Sequence, residues 1–241
     1  MASGSLIRRA PRHPTMLSLD AIDPQVPGVA LWVVHLDRPQ PDASRSLSPA
    51  EHARATRFGT EALRRRWIVG RATLRQLLGQ RLNVEPGAVS LRRGVRGRPE
   101  LDMPDAPDFN ISHTGNTALI GIGVGLGPNE RIGVDIERAD RKVNADGLAR
   151  RVLSERERSA LAPLDAEARR RSFLRLWTCK EAMSKATGDA LSAPFRRIEV
   201  ALGDGIKLNE GPPPYVPERW RLFPAAVPDE FIATIAIWRN E

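Results

Sequence analysis

Cysteine occurs once in the 241 residues, as Cys179, so no internal disulfide can form, and four scattered histidines beside one thiol offer no zinc-ligand spacing. That usage fits a reducing, cytoplasmic setting. No apolar run approaches the ~20 residues that a spanning helix requires, so no membrane partner is expected. The first sixteen residues hold Arg8, Arg9 and Arg12 and lack the apolar centre of a secretory signal. Residues 1–28 therefore read as a basic, flexible leader outside the fold. Lysine is also scarce: Lys142, Lys180, Lys185 and Lys207 are four lysines against 33 arginines. Aromatic residues, at 5%, give few platforms for stacking nucleic-acid bases.

What is present is a chain with 41% hydrophobic and 27% charged residues, ordinary for a globular protein with a sizeable core. The formal net charge of +8 implies anionic partners without choosing among them. Arginine clusters at 64–66, 92–98 and 169–171 suggest nucleic acid as one class, but no nucleic-acid fold signature accompanies them. No nucleic-acid partner is expected.

Hydrophobic periodicity divides the chain into two comparable halves, 29–126 and 127–241, with a seam at Gly125 to Asn129. The first half reads as a strand at Ala30 to Leu36, helices at Ala50 to Arg57 and Ala62 to Leu82, and strands at Val89 to Leu91, Phe109 to Ser112 and Ala118 to Val124. The second opens on a strand at Arg131 to Glu137. Helices follow at Asp146 to Val152, Ser154 to Leu161 and Ala166 to Ala186, then strands at Ile198 to Leu202, Trp220 to Phe223 and Phe231 to Trp238. The expected class is α+β, each half combining an antiparallel sheet with helices. The glycines at 121, 123, 125 and 127 imitate a dinucleotide-binding loop, yet Pro128 and a strand follow where that loop needs a helix. A strand with close packing is the better account.

Three segments carry chemistry. Period-two alternation in the Arg131 to Glu137 strand sends Ile132, Val134 and Ile136 to one face and Gly133, Asp135 and Glu137 to the other. The two acids then stand ~6–7 Å apart, able to converge on one hard cation with Gly133 leaving room beside them. On the helix through Phe173 to Lys185, Glu181 and Lys185 are four apart on one face, and Lys180 stands beside them. One acid flanked by two ammonium groups suits a metal-bound pyrophosphate. In Phe109 to His113 a hydroxyl, an imidazole and turn N–H groups can meet an anion.

Together FNISH at 109–113, GVDIE at 133–137 and WTCKEAMSKATG at 177–188 resemble the 4′-phosphopantetheinyl transferase superfamily, of the monomeric type that activates surfactin synthetase. The Gly97-Arg98-Pro99 turn matches that family's smaller signature. The resemblance implies a pseudo-twofold pair of lobes with coenzyme A between them. It also implies Mg²⁺-dependent transfer of the phosphopantetheine arm, with Mn²⁺ as a substitute, to a serine of an apo acyl or peptidyl carrier protein. Adenosine 3′,5′-bisphosphate would leave. Asp135, Glu137 and Glu181 match the metal-binding acids, with Glu181, then Glu137, as base. Ser112 and His113 match phosphate-holding residues, and Lys180 and Lys185 match lysines at the pyrophosphate. Arg98 and Pro99 would lie by the adenine. Arg54, Arg57 and Arg65 or Arg66 fall where basic residues meet the 3′-phosphate. Carrier docking is implied at Leu148 to Leu161.

Overall fold

The computed structural model describes residues 19–22, 26–94, 96–142 and 145–240. Its elements run β1 (Leu19–Ile22), β2 (Val29–His35), α1 (Pro49–Ala55), α2 (Glu61–Leu82), β3 (Leu91–Arg93), β4 (Pro99–Leu101), β5 (Phe109–Thr114), β6 (Thr117–Gly123) and β7 (Glu130–Arg138). Then come α3 (Ala145–Val152), α4 (Glu155–Leu161), α5 (Ala166–Thr187), β8 (Glu199–Leu202), β9 (Ile206–Glu210), β10 (Trp220–Pro224) and β11 (Phe231–Arg239). The class is α+β with antiparallel sheets.

One sheet has the order β1-β2-β6-β5 and the other β7-β11-β10-β9-β8, with β3 and β4 forming a separate ribbon. Alternation along the strands explains how these layers stack. Leu31 and Val33 of β2 and Leu119 of β6 meet Ile132, Val134, Ile136, Ala233, Ile235 and Ile237, so the two sheets face each other across a dry core. The opposite sides of β2 and β6 present Val34, Ala118, Ile120 and Ile122 to Leu74 and Leu78 of α2. On the far side, α5 places Leu176, Cys179, Ala182 and Met183 against Ala236, Trp238 and Leu222. Each sheet thus carries one 22-residue helix on its outer face.

Local chemistry fixes the helix ends. Ser48 and Glu51 form a capping box before α1, with Pro49 at the first helical position, and Ser154 and Glu157 form another before α4. Gly188, at φ 84°, takes the left-handed conformation that stops α5.

Three expectations are corrected. Leu19–Ile22, assigned to the leader, is a strand that pairs with β2 from Leu19↔Val34 to Ile22↔Leu31; the rest of 1–28 up to residue 18, and 23–25, lies outside the described residues. The strand placed at Val89 to Leu91 is β3 at Leu91–Arg93, paired antiparallel with β4. β9 was not anticipated, because only Ile206 and Leu208 alternate with polar neighbours there. The glycine run contains close packing: a Cβ at Gly121 would lie 2.8 Å from Val134 Cγ1.

Gly133 has the tightest requirement. A Cβ there would sit 1.9 Å from the Ala182 carbonyl oxygen and 2.9 Å from the Ala186 nitrogen, so the helix backbone, and not a ligand, occupies the room this glycine leaves. Gly133→Ala is expected to cost about 3 kcal/mol or more by forcing α5 off the sheet. Gly203→Ala, with nothing within 4 Å of the added carbon, should change stability by less than ~0.5 kcal/mol. Urea melts of both variants check this, and equal midpoints would contradict the close approach.

Candidate active site

The site forms where β5, β7 and α5 meet. On β5, Asn110, Ser112 and Thr114 share the side that faces β7, whose acids point toward α5. The Ser112 hydroxyl donates to Asp135 Oδ1 at 2.7 Å, and Thr114 Oγ1 donates to Glu137 Oε2 at 3.0 Å. Lys185, one turn beyond Glu181, donates from Nζ to Asp135 Oδ1 at 2.6 Å and to Ser112 Oγ at 2.7 Å. Glu137 is further held by Trp177 Nε1 at 3.2 Å and by an ion pair with Arg141. Asp135, Glu137, Glu181, Ser112 and Lys185 are therefore one cluster.

Burial governs its charge. Desolvation pushes the Glu181 carboxyl above its ordinary range, and the field of Asp135 adds to that shift while Lys185 opposes it. Glu137 is also raised by burial, against the pull of Arg141. Asp135 Oδ2 and Glu181 Oε1 are buried and find no hydrogen-bond partner among the described residues. Orphaned carboxylate oxygens are costly unless a cation completes them. Hard oxygen donors from three acids suit Mg²⁺ or Mn²⁺. Among the described residues no three His, Cys, Asp or Glu side chains stand together as a group that could hold a metal ion; Asp135 is paired with Lys185 and Glu137 with Arg141.

Beside this cluster, a hollow of about 210 Å³ is lined by Arg96 to Pro99, Phe109 to Ile111, Ser184, Lys185 and Gly188. Arg98 is buried there, but its guanidinium is consumed within the protein. It donates to both oxygens of Asp108 at 2.7 Å, to the Phe109 and Ile132 carbonyls at 3.0 and 2.8 Å, and to the Lys185 carbonyl at 2.9 Å. Arg98 thus contributes wall, with its guanidinium bonded to Asp108 and to three backbone carbonyls.

Pro99 also lines a second, larger cavity of about 580 Å³, walled by Arg54, Arg57, Arg71, Arg75, Arg92 and Arg93. Arg75 is committed to Glu51 at 2.5 Å and to the Pro86 and Val89 carbonyls. Burial, with the positive fields of Arg54, Arg75 and Arg93, holds the Arg71 guanidinium below its ordinary value despite Glu51. Such crowding of like charge is relieved by an anion. His113 keeps exposed surface, but its imidazole is packed against α2, where a Cβ on Gly70 would lie 3.5 Å from Nε2. Desolvation, then Lys185 and Arg71, keeps its imidazole below the usual value and hence neutral at physiological pH.

Two sequence assignments are corrected. Arg65 and Arg66 do not line the arginine cavity: Arg66 grips Asp37 through two 2.8 Å bonds and Arg65 lies 3.6 Å from the same acid. Helical geometry explains it, since Trp67, Arg71 and Arg75 recur every fourth residue on the face toward α1 whereas 65 and 66 turn away. That spacing was the signal for Arg71. Lys180 is fully buried and points away from the cluster, about 100° around α5 from its neighbour Glu181.

Comparison with known proteins follows the same layout. Residues 131–236 match the 4′-phosphopantetheinyl transferase superfamily, and residues 40–122 match 4′-phosphopantetheinyl transferase, N-terminal. The chain is 37% identical over 87% of its length, and 87% of the relative's, to the 4′-phosphopantetheinyl transferase HetI of Nostoc. The chain belongs to the 4′-phosphopantetheinyl transferase superfamily. A putative 4′-phosphopantetheinyl transferase of Synechocystis is 34% identical over 72% of this transferase and 70% of its own chain. The Bacillus subtilis 4′-phosphopantetheinyl transferase is 27% identical over 76% and 83%. No helix among the transferase's described residues is long and apolar enough to cross a membrane.

The raised Glu181 carboxyl has a consequence for stability. Because its value in the fold lies above the ordinary 4.5, the native transferase binds more protons than the unfolded chain between those two values. Stability contributed at this group is consequently lost as pH rises through that window. Glu181→Gln should stabilise the fold at pH 7 by on the order of 1 kcal/mol, and the gain should vanish near pH 4. Thermal melts at both pH values test it; a glutamine variant less stable at pH 7 would refute the uncompensated burial.

Proposed function

We propose that this transferase moves the 4′-phosphopantetheine arm of coenzyme A to a serine of an apo acyl or peptidyl carrier protein and releases adenosine 3′,5′-bisphosphate. The carrying observation is that Pro99 borders both the arginine cavity and the smaller hollow, while Lys185 borders that hollow and bonds Asp135 of the acid cluster. Coenzyme A has matching anionic ends: a 3′-phosphate for Arg54, Arg57 and Arg71, and a pyrophosphate for Lys185 and His113. The adenine fits along Gly97 and Pro99. Asp135, Glu137 and Glu181 would hold Mg²⁺, which when bound neutralises pyrophosphate charge and favours departure of the bisphosphate.

The protein's own groups then position the acceptor. Lys185, donated to by no neighbour and donating to Asp135 and Ser112, can turn its remaining proton to a phosphate oxygen. The serine oxygen bonds to the phosphorus linked to the pantetheine arm, the bond from that phosphorus to the bisphosphate breaks, and the serine proton passes to a carboxylate. Glu181 is favoured over Glu137 as that acceptor. Both carboxyls are raised by burial, but both Glu137 oxygens are engaged, whereas Glu181 Oε1 has no hydrogen-bond partner among the described residues. The carrier would dock on α3 and α4, where Arg150 and Arg151 are exposed beside buried Val152 and Leu153. With both apolar side chains inside the core, the exposed arginines, Arg156 among them, are what the surface offers to an acidic helix.

Incubation with coenzyme A, Mg²⁺ and a panel of apo carriers should give carriers whose intact mass has gained one arm. Asp135→Ala should slow transfer by roughly 100-fold or more, as should chelation. Arg54→Ala or Arg71→Ala should weaken coenzyme A binding by roughly tenfold while leaving 3′-dephospho-coenzyme A unaffected, whereas Arg66→Ala should change neither. No mass gain with any carrier would refute the transfer, and equal affinities for the two cofactor forms would remove the 3′-phosphate from the arginine cavity.

A further inference from the structure

Lys180 lies on α5 directly beside Glu181, yet its side chain is fully buried on the other side of the helix. Its Nζ donates to the Val152 carbonyl at 2.9 Å, Glu157 Oε2 at 2.6 Å, the Phe195 carbonyl at 2.8 Å and the Ile198 carbonyl at 2.6 Å. Every one of these four neighbours is an acceptor, an arrangement that favours the ammonium form; burial pulls the amine below its ordinary value, and Glu157 opposes that. Glu157 answers with equal saturation. Oε2 also accepts from the Ser154 N–H at 2.7 Å, and Oε1 from the Val200 N–H at 2.8 Å.

The partners are not scattered. Val152 ends α3, Ser154 caps α4, Glu157 is in the first turn of α4, Phe195 and Ile198 lead into β8, and Val200 is in it. One ammonium and one carboxylate therefore lock the α3 to α4 elbow and the approach to β8 onto the helix that carries Glu181 and Lys185. The pair is too deep to reach a ligand. Stability alone does not require it, because buried ion pairs are commonly replaceable by apolar residues without loss. An ion pair with directed bonds does fix one register between the elements it joins.

We infer that Lys180, through Glu157, is a positioning residue that sets the α3 to α4 elbow relative to the reactive side of α5, and so sets how an acidic carrier presents its serine. This rests on the docking reading above. It predicts that the pair governs carrier recognition and leaves coenzyme A binding alone.

The test compares wild type with the double variant Lys180→Met and Glu157→Leu, which removes both charges together and strands neither. Calorimetry with coenzyme A should give affinities within twofold of one another. Steady-state transfer should show the carrier KM raised about tenfold with kcat changed less than threefold, and amide exchange should accelerate over 147–161 while β5 and β7 stay protected. A tenfold loss of coenzyme A affinity would instead make Lys180 a phosphate ligand. An unchanged carrier KM with a loosened elbow, or an elbow that exchanges as in wild type, would equally overturn the inference. If wild type moves no arm onto any carrier, the transfer reading fails on its own, and the exchange and calorimetry still decide whether the pair pins the elbow. Should the double variant not fold, Ser154→Ala loosens the same elbow without burying a charge, and it should raise carrier KM three- to fivefold; no change there overturns the inference too.

Discussion

β5 and β7 are edge strands of two different sheets, and side chains close the gap between them where a backbone ladder would otherwise run. Asp108 Oδ2 accepts from the Ile132 N–H at 2.7 Å, and Asn110 Oδ1 from the Val134 N–H at 3.0 Å. Ser112 and Thr114 continue the series by reaching the carboxylates of Asp135 and Glu137. An unpaired edge N–H buried in a core is costly, so this alternate-residue row of polar side chains lets two sheets join. It also decides where chemistry occurs. The same row that satisfies backbone at one end of the seam grips the acids at the other.

Close approach is the second half of that constraint. With hydrogen alone at Gly133, α5 rests its backbone on β7, and this brings Lys185 and Glu181 within reach of the strand's acids. Arg98 then fastens the β3–β4 ribbon to the seam from outside, joining Asp108, both edge strands and the end of α5 through one guanidinium. A planar cation with five donors is suited to that junction, and a lysine could not replace its geometry. The site's charged groups are thus held by groups that are themselves anchored to the seam.

Much of this was legible in the letters. The period-two pattern of Arg131 to Glu137 places Ile132, Val134 and Ile136 in the core between the sheets, as alternation requires. The glycine run at 121–127 was separable from a dinucleotide loop by Pro128. Other features depend on distant partners and left no local trace. The positions of Arg65 and Arg66 hinge on Asp37, which is 29 residues from Arg66 and meets it only once β2 and α2 are packed. β1 lay hidden because a four-residue strand beside a basic stretch has no periodicity to measure. Arg98 reads in sequence as a surface loop cation, and only the edge carbonyls it serves show otherwise.

Lys180 and Lys185 show why motif matching and geometry diverge. Both lie within one turn and a half of Glu181, and a motif assigns both to the same anion. A helix advances about 100° per residue, so position 185 shares the face of 181 while position 180 cannot. The two lysines are sorted by what each finds: Lys185 meets Asp135 and Ser112 at the cleft, and Lys180 meets a carboxylate and three carbonyls in the interior. A flexible four-carbon stem carrying a compact charge serves either environment. Residue type at a motif position therefore limits the chemistry available, and the direction of the side chain selects which part of it the protein uses.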